Sequence, residues 1–154
     1  MHDSKLFPPG TRRTMAGPSK SVMVQDLTGT ARYKGTIVVI DTGTAGADVA
    51  RAVTIVDAKK AKRVYGVLAE DLAANGSAPC IIDGPAEAAL SDDNGDIVAG
   101  DEIVTSNHGS GGYGEKGDGL PVAGTVVGYA IDAQATDSVL GTDSSLKTIF
   151  VSPR

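Results

Sequence analysis

Histidine occurs twice in this 154-residue chain, at His2 and His108, and cysteine once, at Cys80. A Ser–His–acid triad would have to pair His108 with Ser106 or Ser110, yet neither serine lies in a G-x-S-x-G elbow. Residues so close in sequence rarely present nucleophile and base in the required geometry. Cys80 follows Pro79 and precedes Ile81-Ile82. That apolar setting predicts a buried, inert thiol, because reactive thiols want exposure and a positive field. Gly109-Ser110-Gly111-Gly112-Tyr113-Gly114 matches G-x-G-x-x-G. A dinucleotide site also needs a helix after the glycines, and Glu115-Lys116-Gly117-Asp118-Gly119 cannot open one. Asp92, Asp93, Asn94 and Asp96 have the oxygen chemistry of a calcium loop, but Gly95 is misplaced and no Glu occupies the twelfth position. The residues predict no enzyme, no resident metal and no cofactor.

The elements that must position these groups are strands. The chain holds 16 Val and 9 Ile against 8 Leu, a bias toward side chains that are stiff at χ1 and pack well on pleated sheet. Short apolar runs alternate with turns such as Thr28-Gly29, Asn75-Gly76 and Asp92-Asp93-Asn94-Gly95. Strands are expected within Ser21–Leu27, Tyr33–Asp41, Ala50–Val56, Arg63–Ala69, Ala78–Ile82, Asp96–Ser106, Gly124–Ile131 and Leu146–Val151. Two short helices are also expected. Leu68–Ala74 would stop at Asn75-Gly76, and Pro85–Leu90 opens on a proline suited to a first helical position. The fold class is therefore all-β with minor α: a small β-barrel or β-tulip-like domain over residues 22–154, with an extended N-terminal arm over 1–21.

An internal repeat runs through the domain. Tyr33–Asp41 is followed about thirty residues on by Val64–Glu70, and Ala99–Thr105 by Val126–Asp132 at nearly the same distance. In each half a Gly turn launches one strand, and a second strand carries Gly beside Tyr. Glycine inside a strand marks a bend or a close backbone approach.

The arm has Pro8-Pro9-Gly10 and Gly17-Pro18, which forbid a continuous helix and remove ladder donors. Fully extended, it would reach about 70 Å. Residues 1–34 hold six basic and two acidic side chains, net +4, whereas the remainder holds eight and seventeen, net −9. An acidic body with few aromatics argues against nucleic acid, and no apolar run approaches the ~20 residues of a membrane span. Between two expected strands, Lys59, Lys60, Lys62 and Arg63 form a basic loop able to meet acidic groups.

Gly66-Val67-Leu68-Ala69-Glu70-Asp71, the turn Asn75-Gly76-Ser77-Ala78-Pro79 and Cys80-Ile81-Ile82-Asp83-Gly84 occur in that order. The series resembles the head-decoration (cement) proteins of tailed phages, of the lambda decoration-protein type, over about residues 33–90. The second half, with Gly100-Asp101-Glu102-Ile103-Val104-Thr105-Ser106 and Gly124-Thr125-Val126-Val127-Gly128, departs from that pattern. It is more similar to barrel modules of phage cement and fibre proteins. The resemblance implies a structural protein on the outer capsid surface of the virion, with the major capsid protein as partner and self-association as a trimer. A tail or fibre module of the same particle is the alternative. In that setting Phe7, Pro8 and Pro9 are expected to pack on a neighbouring polypeptide, and Arg12, Arg13 and Lys20 to meet its carboxylates.

Overall fold

In the computed structural model, residues 19–43, 51–55, 58–120 and 122–154 are described. They form a nearly all-β, barrel-like structure of nine strands: β1 (Lys20–Gln25), β2 (Ile37–Ile40), β3 (Val53–Thr54), β4 (Val64–Leu68), β5 (Ser77–Ala88), β6 (Glu102–Thr105), β7 (Gly114–Lys116), β8 (Val126–Ala130) and β9 (Lys147–Val151). All strand pairs are antiparallel, in the order β3-β2-β4-β5-β9-β8-β6-β7, with β1 added to β5. Two parallel bridges, Gln25 to Ala52 and Leu90 to Gly114, draw the edges of each half together and curl the sheet.

The halves are two copies of one unit that share β5. In the first, Val38 pairs with Gly66 and Val39 with Val64, with a bulge between. In the second, Ile103 pairs with Gly128 and Val104 with Val126, with a bulge at the same place. The launching turns also match. Gly35 N–H donates to Leu68 O at 2.9 Å, as Gly100 N–H does to Ala130 O at 2.8 Å, and both glycines have positive φ. The first half of β5 serves its unit as β9 serves the second, and the second half of β5 stands where β1 stands.

Packing welds the copies together. The interior of the first unit is a cluster around Val24, Val38, Leu68, Leu72 and Cys80. A second cluster joins the interior of the second unit (Ile103, Val127, Ile149) to the outer face of the first, Ile37, Val39, Val64 and Val67. One layer of the sheet is thus buried on both sides, which is why β2 and β4 read as nearly unbroken apolar runs.

Neither expected helix forms. Leu68 ends β4, Leu72 bridges back to Arg32, and Asn75 at φ 58° turns the chain into β5. Pro85 lies inside β5, paired with Phe150 of β9. The proline signal at a helix start is equally met by a strand position whose missing N–H has no ladder partner to lose. The expected strand over Asp96–Ser106 narrows to Glu102–Thr105, and β7, with no β-branched residue, arises in the Gly-rich stretch.

Gly66 and Gly128 are the tightest points of the sheet. A Cβ there would sit 2.1 Å from Ile81 O and 2.0 Å from Phe150 O, respectively. Neither backbone carbonyl can yield without breaking its strand pair. Gly66→Ala and Gly128→Ala should each cost about 3 kcal/mol, with similar losses in the two halves. Urea denaturation checks this.

Candidate functional site

The described chain begins at Ser19, and β1 follows at once from Lys20. Ser19 Oγ donates to Pro85 O at 2.5 Å, and Lys20, exposed, starts β1 opposite Asp83. This start therefore sits at the junction of the two repeats, beside the kink where Gly84 takes φ 106°. Of the residues expected to make interface contacts, Lys20 is on the surface, but with Ser21 it belongs to β1, paired to β5, and not to an extended arm reaching to residue 21. Phe7, Pro8, Pro9, Arg12 and Arg13 lie outside the described residues.

The residues that could do chemistry come together in the loops around β7, but in roles other than a triad. Ser106 is buried, and its hydroxyl donates to Glu115 Oε2 at 2.9 Å while accepting the His108 backbone N–H at 3.1 Å. Glu115, itself buried, also faces Lys59 Nζ at 3.5 Å. The His108 ring turns the other way. Its Nδ1 lies 3.0 Å from Asp93 Oδ2 and its Nε2 3.7 Å from Asp137 Oδ2, with its edge against Tyr113 at 4.8 Å between centroids. His108 is thus a clamp between three loops, and Ser106 a strut between β6 and β7.

Among the described residues, Asp93, His108 and Asp137 are the one group able to offer three ligand atoms within 4.8 Å. The two carboxylates address opposite nitrogens of the imidazole, and one ion could take only one of those nitrogens. The Asp92–Asp96 turn does not gather its own oxygens around a centre: Asn94 Nδ2 donates to Lys116 O at 2.8 Å, and Asp93 faces His108. What the turn does create is strain between charges. Partial desolvation and then the Asp137 charge raise the Asp92 carboxyl above its usual range. Desolvation acts upward on Asp137 too, but the Asp92 N–H, the Ser91 hydroxyl and the His108 ring outweigh it and hold Asp137 below that range.

The basic loop finds acids within the chain. Lys60 Nζ is 2.7 Å from Asp118 Oδ2, and Ala61 N–H donates to Thr105 Oγ1 at 2.6 Å. Cys80 is fully buried, and burial pushes its thiol up to about 12, as the apolar run around it predicts. The Gly-rich stretch contributes Gly109, Ser110, Gly111 and Tyr113 to an open groove of about 430 Å³ with Tyr33 and Leu140. No helix follows that stretch to present an anion site. Tyr113 was not singled out from sequence. Its hydroxyl accepts the Leu140 N–H at 3.3 Å, a contact with no local signal because 27 residues intervene.

Comparison with known proteins adds no kinship: no protein-family model matches the chain, and no curated protein matches it.

The neighbouring Asp92 and Asp137 predict a pH signature. Asp92 gives up favourable solvation on folding, so its charge opposes the fold above its raised value and ceases to do so below ~3.9. Asp137 contributes stability above ~3.9 and loses it as pH falls through its lowered value. Asp92→Asn should therefore raise the melting midpoint at pH 7, with the gain gone by the time pH falls below ~3.9. Asp137→Asn should lower the midpoint at pH 7. Thermal scans from neutral to acid pH measure both.

Proposed function

We propose that this protein is a structural, non-catalytic capsid decoration (cement) protein that binds the outer surface of a mature phage capsid, as a trimer, and stabilises it. The observation that carries the reading is where the resemblance falls in the fold. Gly66–Gly84 is one continuous antiparallel hairpin, β4 and the first half of β5, with Val67 opposite Ile81 and Leu68 opposite Cys80. The motifs that carry the likeness thus fall on one hairpin of a barrel-like domain.

Two further features support it. The basic arm is rooted at a surface position by Ser19 and Lys20, which suits a tether laid along a neighbouring polypeptide. The one constellation with triad chemistry is tied into internal struts, Ser106 to Glu115 and His108 to Asp93. A protein that binds the assembled shell and not its separated subunits stabilises the shell by mass action. The arm's ordering entropy is offset by the surface it wraps. A tail or fibre module is the second reading, favoured by the tandem arrangement of two like units.

Removing residues 1–20 should leave the barrel folded, by circular dichroism and melting midpoint, and greatly reduce occupancy on empty expanded capsids. Undiminished occupancy would overturn the reading. Labelled protein found at the tail, with the shell bare, would favour the fibre alternative.

A further inference from the structure

The two repeats differ in what covers them. In the first, the row Ile37, Val67 and Ile81 runs across β2, β4 and β5, and the second repeat's core packs against it. The matching row of the second repeat is Glu102, Tyr129 and Phe150, continued by Pro85. No part of the described chain plays the covering role there: Phe150 is 36% exposed and nearby Val122 43%. Beside this row lies a groove of about 400 Å³ lined by Glu102, Val122, Ala123, Val126, Tyr129 and Arg154. The Arg154 guanidinium stands over the Tyr129 ring at 4.8 Å. Terminal repeats usually carry a polar outer face, but this one has kept apolar and aromatic side chains.

The described chain begins at the end of this row, where Ser19 is bonded to Pro85. Eighteen residues precede it, including Leu6-Phe7-Pro8-Pro9. They carry Lys5, Arg12 and Arg13 against Asp3, net +2, so the rest of the chain is net −7. Glu102 supplies a carboxylate in the groove wall. The length of chain before Ser19 bears on which groove it can use. Tyr129 is two strand spacings from Pro85, about 10 Å. Phe7 stands twelve residues upstream of Ser19, about 40 Å along an extended chain, and Pro8-Pro9 favour extension. Twelve residues therefore have the length to pass beyond this groove and enter that of a second copy.

We propose that this groove is the socket for residues 1–18 of a second copy of the chain, with Phe7 seated against Val122 and Tyr129 and an arm arginine turned to Glu102. Repeated by rotation, the exchange closes a ring in which each copy gives one arm and receives one. The proposal rests on the reading of the arm as a tether, and names what the tether grips.

The test uses the full chain in solution, without capsids. By sedimentation the wild type should have a mass that is a multiple of 15.6 kDa. Phe7→Asp and, separately, Val122→Lys should each bring it to the single-chain mass with the far-UV circular dichroism spectrum kept, since Val122 is exposed in the single chain. Mixing Phe7→Cys protein with Val122→Cys protein should give a disulfide between chains, with buried Cys80 left out. A monomeric wild type, oligomers that survive both substitutions, or a disulfide formed only within a Phe7→Cys/Val122→Cys double variant would overturn the proposal. Loss of capsid binding in Phe7→Asp with the oligomer intact would also overturn it, while leaving the decoration reading standing.

Discussion

Two backbone crossings set the geometry of this protein. At Gly66 over Ile81 and at Gly128 over Phe150, strands approach so closely that no side chain fits between them. Each crossing sits at a bulge, where β4 or β8 carries one more residue than its partner. A bulge increases local twist, and the added twist lets a few short strands curl into a barrel-like unit. Were the strands held further apart, Leu68 and Cys80 could not meet in the first interior, nor Ala130 and Ile149 in the second.

The shared strand makes two units one body. Because β5 belongs to both repeats, its Gly84 kink fixes how they stand to each other. Further bonds tie the halves: Ala89 N–H to Gly35 O at 3.0 Å and Ile37 N–H to Gly112 O at 2.9 Å. Lys60 on Asp118 and Lys59 on Glu115 add charge contacts across the same boundary. The outer face of the first unit is at the same time the core of the second, so neither can be removed without exposing the other's apolar surface. Burial of that kind, at about 25 cal/mol per Å², outweighs the solvent-exposed Lys60–Asp118 pair, which contributes at most about 1 kcal/mol.

The repeats diverge where their surroundings differ. Asp26, buried at the end of β1, is held by Arg32 at 2.6 Å and by the Thr28 hydroxyl. Its counterpart beyond β5 is the buried, apolar Leu90. A carboxylate taken from water needs such a partner, whereas a leucine needs only packing. The loops of the second unit are likewise more polar, with the Asp93–His108–Asp137 clamp and the Ser106–Glu115 strut. They hold Gly-rich segments in place where the first unit relies on apolar contacts.

The Val and Ile excess, the regular turns and the two glycine-bearing strands were enough to read an all-β, barrel-like domain with an internal repeat, because period, propensity and turn chemistry are local properties. Other features depend on partners far along the chain. Local signals at Leu68–Ala74 and Pro85–Leu90 spoke for helix, yet pairing with Arg32 and with β9 made them a bridge and a strand. Gly114-Glu115-Lys116 has no strand propensity and becomes β7 only because β6 offers it a ladder. Which row of side chains becomes core was also undetermined: Ile37, Val67 and Ile81 differ from Glu102, Tyr129 and Phe150 in having the other repeat packed over them. A sequence records which residues are apolar, but the chain's own return path decides which of them lose contact with water.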